Sequence, residues 1–201
     1  MTPIAIATED ELSEAIVLRL IAELPGELRV THRLGKRGSG YLSSKMDSWR
    51  QMATHQVMVI LTDLDRANCL VEFRDKWLEN TTLPKNLLFR IAVRESESWA
   101  MADHEAMRAL IGMRGVLPAS PDDLPDPKQV LLRLANGAPR PVREELLKTV
   151  DGNLYQGLGY NARLTEWVGS VWSPRRAAER SPSLARARNR LREAVTAFGS
   201  N

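Results

Sequence analysis

The chain has 201 residues, 43% hydrophobic and 26% charged, the balance of one soluble domain with a small appendage and enough apolar mass to bury a core. No stretch approaches the ~18 consecutive apolar residues of a membrane span, and Met1-Thr2-Pro3 lacks the basic start of a secretory signal, so a cytoplasmic protein outside membranes is expected. A single cysteine, Cys69, excludes a disulfide framework and a cysteine-rich zinc site, and His32, His55 and His104 have no metal-ligand spacing.

The net charge of +3 conceals an asymmetry. From Arg163 onward there are eight arginines against three glutamates, so this tail carries a surplus of five positive charges on a body that is slightly acidic. Such a tail suits nucleic acid or an acidic partner surface; the plain alternative is a solvated helix face.

In chain order, Ile4-Ala5-Ile6-Ala7 reads as a strand buried on both faces, followed by a helix with Leu12, Ala15, Ile16 and Leu20 at helical spacing. Leu28 to Val30 reads as a second strand. Gly35-Lys36-Arg37-Gly38-Ser39-Gly40 is glycine-rich and basic and reads as a surface loop. Val57 to Leu61 is the clearest strand, ending in Thr62-Asp63, and a helix with Leu70, Phe73 and Trp77 follows, with Cys69 inside it as a buried thiol. Leu87 to Val93 repeats the plan, with one helix carrying Trp99, Ala102, Ala106 and Leu110 along one side.

Strands alternating with helices predict an α/β fold, a mostly parallel sheet flanked by helices, over residues 1–115. Four prolines between Leu117 and Pro127 mark a connection. Residues 116–201 are expected to form this Pro-rich connection and a basic helical C-terminal extension packed on the core. In it Ser181-Pro182 starts a helix with Leu184, Ala187, Leu191 and Phe198 as its apolar stripe. Trp77 and Trp99 are expected in the core, and Trp167 and Trp172 at the contact between tail and sheet.

Ligands of an open parallel sheet bind beyond the carboxyl ends of its strands. Here every clear strand ends in acids: Glu9, Asp10 and Glu11 with Glu14 a turn later, then Asp63 and Asp65, then Glu95 and Glu97. No base in the sequence is equally placed to neutralise all of them. Carboxylates gathered at one edge repel unless they take up protons or cations, and hard oxygen ligands suit Mg²⁺ or Mn²⁺. In extended backbone Asp63 and Asp65 share one side, as do Glu95 and Glu97. Such a site can hold one or two ions for phosphodiester cleavage; the plain alternative is acids acting as helix caps. Lys36 and Arg37 are candidate ligands for substrate phosphate, although the loop lacks the Gly-x-x-x-x-Gly-Lys pattern of a nucleotide-binding loop.

The runs Thr8-Glu9-Asp10-Glu11-Leu12-Ser13-Glu14 and Leu61-Thr62-Asp63-Leu64-Asp65 resemble the two acidic motifs of the TOPRIM fold of topoisomerases, primases and overcoming-lysogenization-defect nucleases. Arg90 to Asp103, together with Gly38-Ser39-Gly40-Tyr41-Leu42, Asp126-Pro127-Lys128 and Ser181-Pro182-Ser183-Leu184, resembles an uncharacterised bacterial TOPRIM-like family. The resemblance implies Glu9, Asp63 and Asp65 as catalytic residues and Glu9, Glu14, Asp63, Asp65, Glu95 and Glu97 as the Mg²⁺ (or Mn²⁺) set. It departs from the usual pattern at Asp10, which replaces a glycine, so Glu9 and Glu11 both compete for the catalytic place. It also implies a metal-dependent nuclease of DNA or RNA, the effector of a two-component anti-phage system with an ABC-like or AAA-type ATPase partner, and is compatible with a homo-oligomer. The alternative is a non-catalytic docking or sensing subunit of an ATPase complex.

Overall fold

A computed structural model describes residues 1–65, 67, 69–79 and 81–199. The chain runs β1 (Thr2–Thr8), α1 (Glu11–Ala22), β2 (Leu28–Gly35), α2 (Ser39–Ser44), α3 (Met46–Met52), β3 (Val57–Asp63), α4 (Leu70–Leu78), β4 (Leu87–Ala92), α5 (Ser96–Ala102) and α6 (His104–Ile111). A 3₁₀ turn (Pro121–Asp123) leads to α7 (Pro127–Ala135), α8 (Arg140–Leu146), β5 (Leu147–Val150), β6 (Asn153–Gln156), α9 (Tyr160–Ser170), α10 (Pro174–Ala177) and α11 (Pro182–Gly199). The protein is α/β: a four-stranded all-parallel sheet of order β2-β1-β3-β4, flanked by helices.

The two inner strands are buried on both faces, which their unalternating apolar sequences require. On one face Ile4, Ile6, Val59, Leu61 and Leu88 pack with α1, α5, α6 and the whole helical half; on the other Ala5, Ala7, Met58, Ile60 and Phe89 pack with Leu42, Trp49 and Trp77. Residues on both sides of position 115, such as Trp99, Met107, Leu131, Trp172 and Leu184, share a single core. Helix α11 is thus no loose appendage. Its Leu184, Ala187, Leu191 and Val195 are buried, Ser181 caps it through its Oγ (3.2 Å to the Leu184 amide), and Trp99 donates to Ser183 Oγ (2.7 Å).

Several expected elements are drawn differently. The long helix after β4 breaks at Asp103, which is fully buried and takes up the N-cap of α6. Its carboxylate accepts from the Ala106 amide (3.2 Å), the Ser173 amide (2.7 Å) and both Nε and Nη2 of Arg176 (2.8 Å each), so tertiary bonding overrides helical continuity. The glycine-rich loop is shorter than expected, because Ser39 already begins α2. Cys69 precedes α4 as a half-buried cap residue instead of lying within it. A two-residue hairpin, β5–β6, interrupts the helical half at Asp151-Gly152, both with positive φ (49° and 78°), the type I′ geometry that Asp-Gly favours. No described helix is long and apolar enough to cross a membrane.

Candidate functional site

Strands β1 and β3 are neighbours, and the chain leaves β1 toward β2 on one side and later returns to β3 on the other, so the sheet's topological switch point lies between them. Glu9 follows β1 and Asp63 ends β3. The parallel register pairs Thr8 with Leu61, which brings Glu9 beside Thr62 and Asp63. Glu9 Oε1 accepts from the Thr62 hydroxyl and from the Asp63 amide (3.0 Å), fixing its carboxylate across the crevice.

The end of β1 is held from the other side as well. Lys36 N donates to Thr8 O (2.7 Å) and Gly38 N to Glu9 O (3.2 Å), so the glycine loop clamps the strand end by its backbone. Gly35 makes this possible: its φ is +93°, and a Cβ there would lie 2.2 Å from Thr8 O.

The third strand end adds its acids through a helix start. Asp63 Oδ1 accepts from Ser96 Oγ (2.7 Å), the first residue of α5. Glu95 precedes α5 and Glu97 lies in its first turn, so they do not share extended backbone as the sequence suggests, yet they meet at one cation. Lys128 Nζ is 3.6 Å from Glu95 Oε1 and 3.6 Å from Glu97 Oε1. Its backbone amide also donates to Glu95 Oε2 (2.8 Å), placing that carboxylate at the N-terminus of α7, where Asp126 is the cap and Pro127 the first residue. Glu97 Oε1 accepts from the buried Tyr160 hydroxyl (2.9 Å).

The electrostatics follow from burial. Asp63 is pushed well above the ordinary aspartate range by burial and then by the charge of Glu97, against the Ser96 hydrogen bond. Burial raises Glu9 too, partly opposed by its Thr62 and Asp63 bonds and reinforced by Asp65 and Asp10. Burial lifts Glu97 to about 6, although Lys128 pulls it down. Burial alone would lower the Lys128 ammonium, but Glu97 and Glu95 outweigh it and hold it above its usual value. Tyr160 is raised well above the usual phenol range by burial and by Glu97.

The remaining expected residues are placed less centrally. Asp65 lies beyond the strand with φ 49° and is exposed, so strand alternation does not carry it to the side of buried Asp63; it lines an open cleft of about 360 Å³ with Arg94, Glu95 and Asp126. Glu14 Oε1 pairs with Lys36 Nζ (3.5 Å), while its Oε2 is buried without a hydrogen-bond partner. That pairing turns Lys36 toward a glutamate, and Arg37 lies over the Tyr41 ring at 5.1 Å. Glu11 is exposed and accepts from Asn161 (3.2 Å), which leaves Glu9 as the acid at the crevice. Asp10 caps α1 in a reciprocal box with Ser13, which explains the residue at this position without any ligand. His104 Nε2 lies 2.9 Å from Pro118 O, a contact between a helix and the connection.

Sequence pattern alone does not single out Lys128 as the base among the acids, nor Tyr160 and Ser96 as their partners. The one available signal was Asp126-Pro127, a helix start that puts the next residue on a first turn. Comparison with protein-family models, with curated proteins and with solved structures finds no match.

Four carboxylates, Glu97, Glu95, Asp63 and Asp10, act on the single Lys128 ammonium, and Asp63 and Glu9 remain raised despite it. The donor set is all hard oxygen and negative in excess, which fits a divalent cation at the Glu9–Asp63 crevice with Asp65 at the rim. Among the described residues no three Asp, Glu, His or Cys side chains are already drawn together as a metal-holding group.

Proposed function

We propose that the protein is a metal-dependent, TOPRIM-like phosphodiester hydrolase acting on nucleic acid, the effector subunit of a two-component anti-phage system with an ABC-like or AAA-type ATPase. The observation that carries this reading is the meeting of Glu9 and Asp63 at the switch point, with Glu97 near enough for its charge to act on Asp63 and Lys128 reaching in from the helical half. Glu9 and Asp63 would hold Mg²⁺ or Mn²⁺, which supplies a water of lowered pKa and polarises a phosphoryl oxygen.

The chain's own groups have distinct tasks. Thr62 and the Asp63 amide orient Glu9, and Ser96 orients Asp63, so both carboxylates are set before substrate arrives. Lys128 offers a fixed positive charge toward charge developing on phosphoryl oxygens. Glu97, at about 6, takes or gives a proton near neutral pH, and Tyr160 holds its Oε1. The open cleft beside Asp65 and Glu95 is the route for substrate.

The test is incubation of the protein with end-labelled DNA and RNA and Mn²⁺, with wild type beside Asp63→Asn. Internal cleavage that disappears in the variant supports the reading, whereas turnover of small phosphoesters alone replaces it with a phosphohydrolase. The built-in Lys128 favours a second reading, a docking or sensing subunit whose acids are neutralised internally. On that reading Asp63→Asn and wild type behave alike with metal and substrate.

A further inference from the structure

Strand β4 is a sheet edge, and along its core-facing side Leu88 is followed two residues later by Arg90, where alternation calls for another apolar residue. Arg90 lies against Leu191 and Ala187 of α11, and its Nε is buried with no hydrogen-bond partner. Burial pulls this guanidinium below its ordinary value, and the charge of Arg190 adds to the effect.

Beside it opens a cavity of about 550 Å³, lined by Arg74, Arg90, Arg186 and Arg190 with one carboxylate, Glu193. Glu193 is committed to Arg190 (2.6 Å) and Arg74 to the neighbouring Asp75 (2.7 Å). Arg186 and Arg190 stand four residues apart on one helical face, where like charges repel. Repulsion of this kind is relieved by an anion, as the acidic edge is relieved by a cation. An inward charge on an edge strand also deters strand pairing, but that use needs no second and third arginine across the groove.

The lining also includes the apolar side chains of Leu70, Ile91 and Val93. Arginines beside apolar side chains are what a nucleic-acid strand requires, the former for phosphates and the latter for base faces. The volume suits one or two nucleotides and is too small for a duplex. Glu95 lies five positions beyond Arg90, at most about 17 Å of extended chain, so one strand can reach from the groove to the acidic crevice.

From these observations we infer that the groove between β4 and α11 binds the phosphates of single-stranded nucleic acid and leads the strand toward the crevice. This rests on the nuclease reading for its purpose but not for its test. The test is fluorescence anisotropy with labelled oligonucleotides in EDTA, so that no metal takes part, comparing wild type with Arg186→Glu/Arg190→Glu and with the milder Arg90→Gln. A control variant, Arg29→Glu/Lys148→Glu, makes the same charge change at exposed positions away from the groove.

The groove variant should lose tenfold or more in affinity while the control changes less than threefold. Neutralising two contacts, Arg186→Gln/Arg190→Gln, should lower the salt slope of log K by about 1.4. Equal losses in groove and control variants overturn the inference, as does a wild type that binds no oligonucleotide. Competition by polyglutamate of equal charge as strong as by oligonucleotide overturns it in favour of an acidic protein. Retained binding with no metal response at Asp63 keeps the groove and removes the nuclease; lost binding with an intact metal site does the reverse.

Discussion

Replacing Lys128 by methionine keeps the length of the side chain and removes the one cation that Glu95 and Glu97 share. Two charges 3.6 Å apart attract by about 4–5 kcal/mol at an effective dielectric of 20. Part of that returns because the ammonium no longer needs desolvating, and the Lys128 side chain is 33% exposed, so the net loss near pH 8 is about 2 kcal/mol. For a chain of this size that lowers the melting temperature by about 4–8 °C.

The loss depends on pH with a defined sign. Glu97 already titrates at about 6 in the folded protein, above its unfolded value, so its charge lowers stability as pH rises through that range. Without Lys128, the largest influence pulling it down, its folded value rises further. At about pH 5 Glu97 is protonated in both folded proteins and the difference shrinks below about 1 kcal/mol; near pH 8 it is ionised and the difference is full. Urea unfolding of both proteins at the two pH values measures this directly. Equal destabilisation at both would show that Lys128 does not neutralise Glu97.

Four other substitutions separate structural from functional roles. Asp103→Ala removes the two-point carboxylate contact of Arg176, leaving it the more distant Glu105 and the Val171 carbonyl, and leaves the Ser173 amide without its acceptor, and should cost about 3 kcal/mol or more by denaturant unfolding; a loss under about 1 kcal/mol would contradict the buried network. Asp10→Ala should cost about 1 kcal/mol as a lost cap while leaving Mn²⁺ binding intact, in contrast to Glu9→Gln, which should keep the fold and lose the metal; a reversed pair of outcomes would move the site to Asp10. Gly35→Ala forces a Cβ onto Thr8 O and should destabilise by about 2 kcal/mol or more in a thermal melt; an unchanged melt would contradict the clamp at the end of β1.

The sheet was legible because its strands carry the pattern of burial on both faces, and each ends where polar residues begin. The acids at those ends were legible for the same reason. What was hidden depends on contacts distant in sequence. Lys128 lies 31 residues beyond Glu97, and Tyr160 lies 63, so no local spacing connects them to the site. Asp103 reads as an ordinary helix residue until Arg176, 73 positions away, meets it. Asp65 illustrates the opposite error: strand periodicity extends two residues past Asp63, where β3 ends, to a position whose backbone is already left-handed. The hairpin at Asp151-Gly152 did have a local signal, the dipeptide that favours a type I′ turn, but its flanking strands are only four residues each and mostly exposed.

The central claim is that Glu9 and Asp63 form a cation site at the switch point, and calorimetric titration of Mn²⁺ into wild type and Glu9→Gln/Asp63→Asn tests it without needing a substrate or an activator. The account predicts saturable binding by wild type that is lost in the double variant while its unfolding curve stays cooperative. Absence of binding by wild type, or equal binding by both proteins, would contradict it.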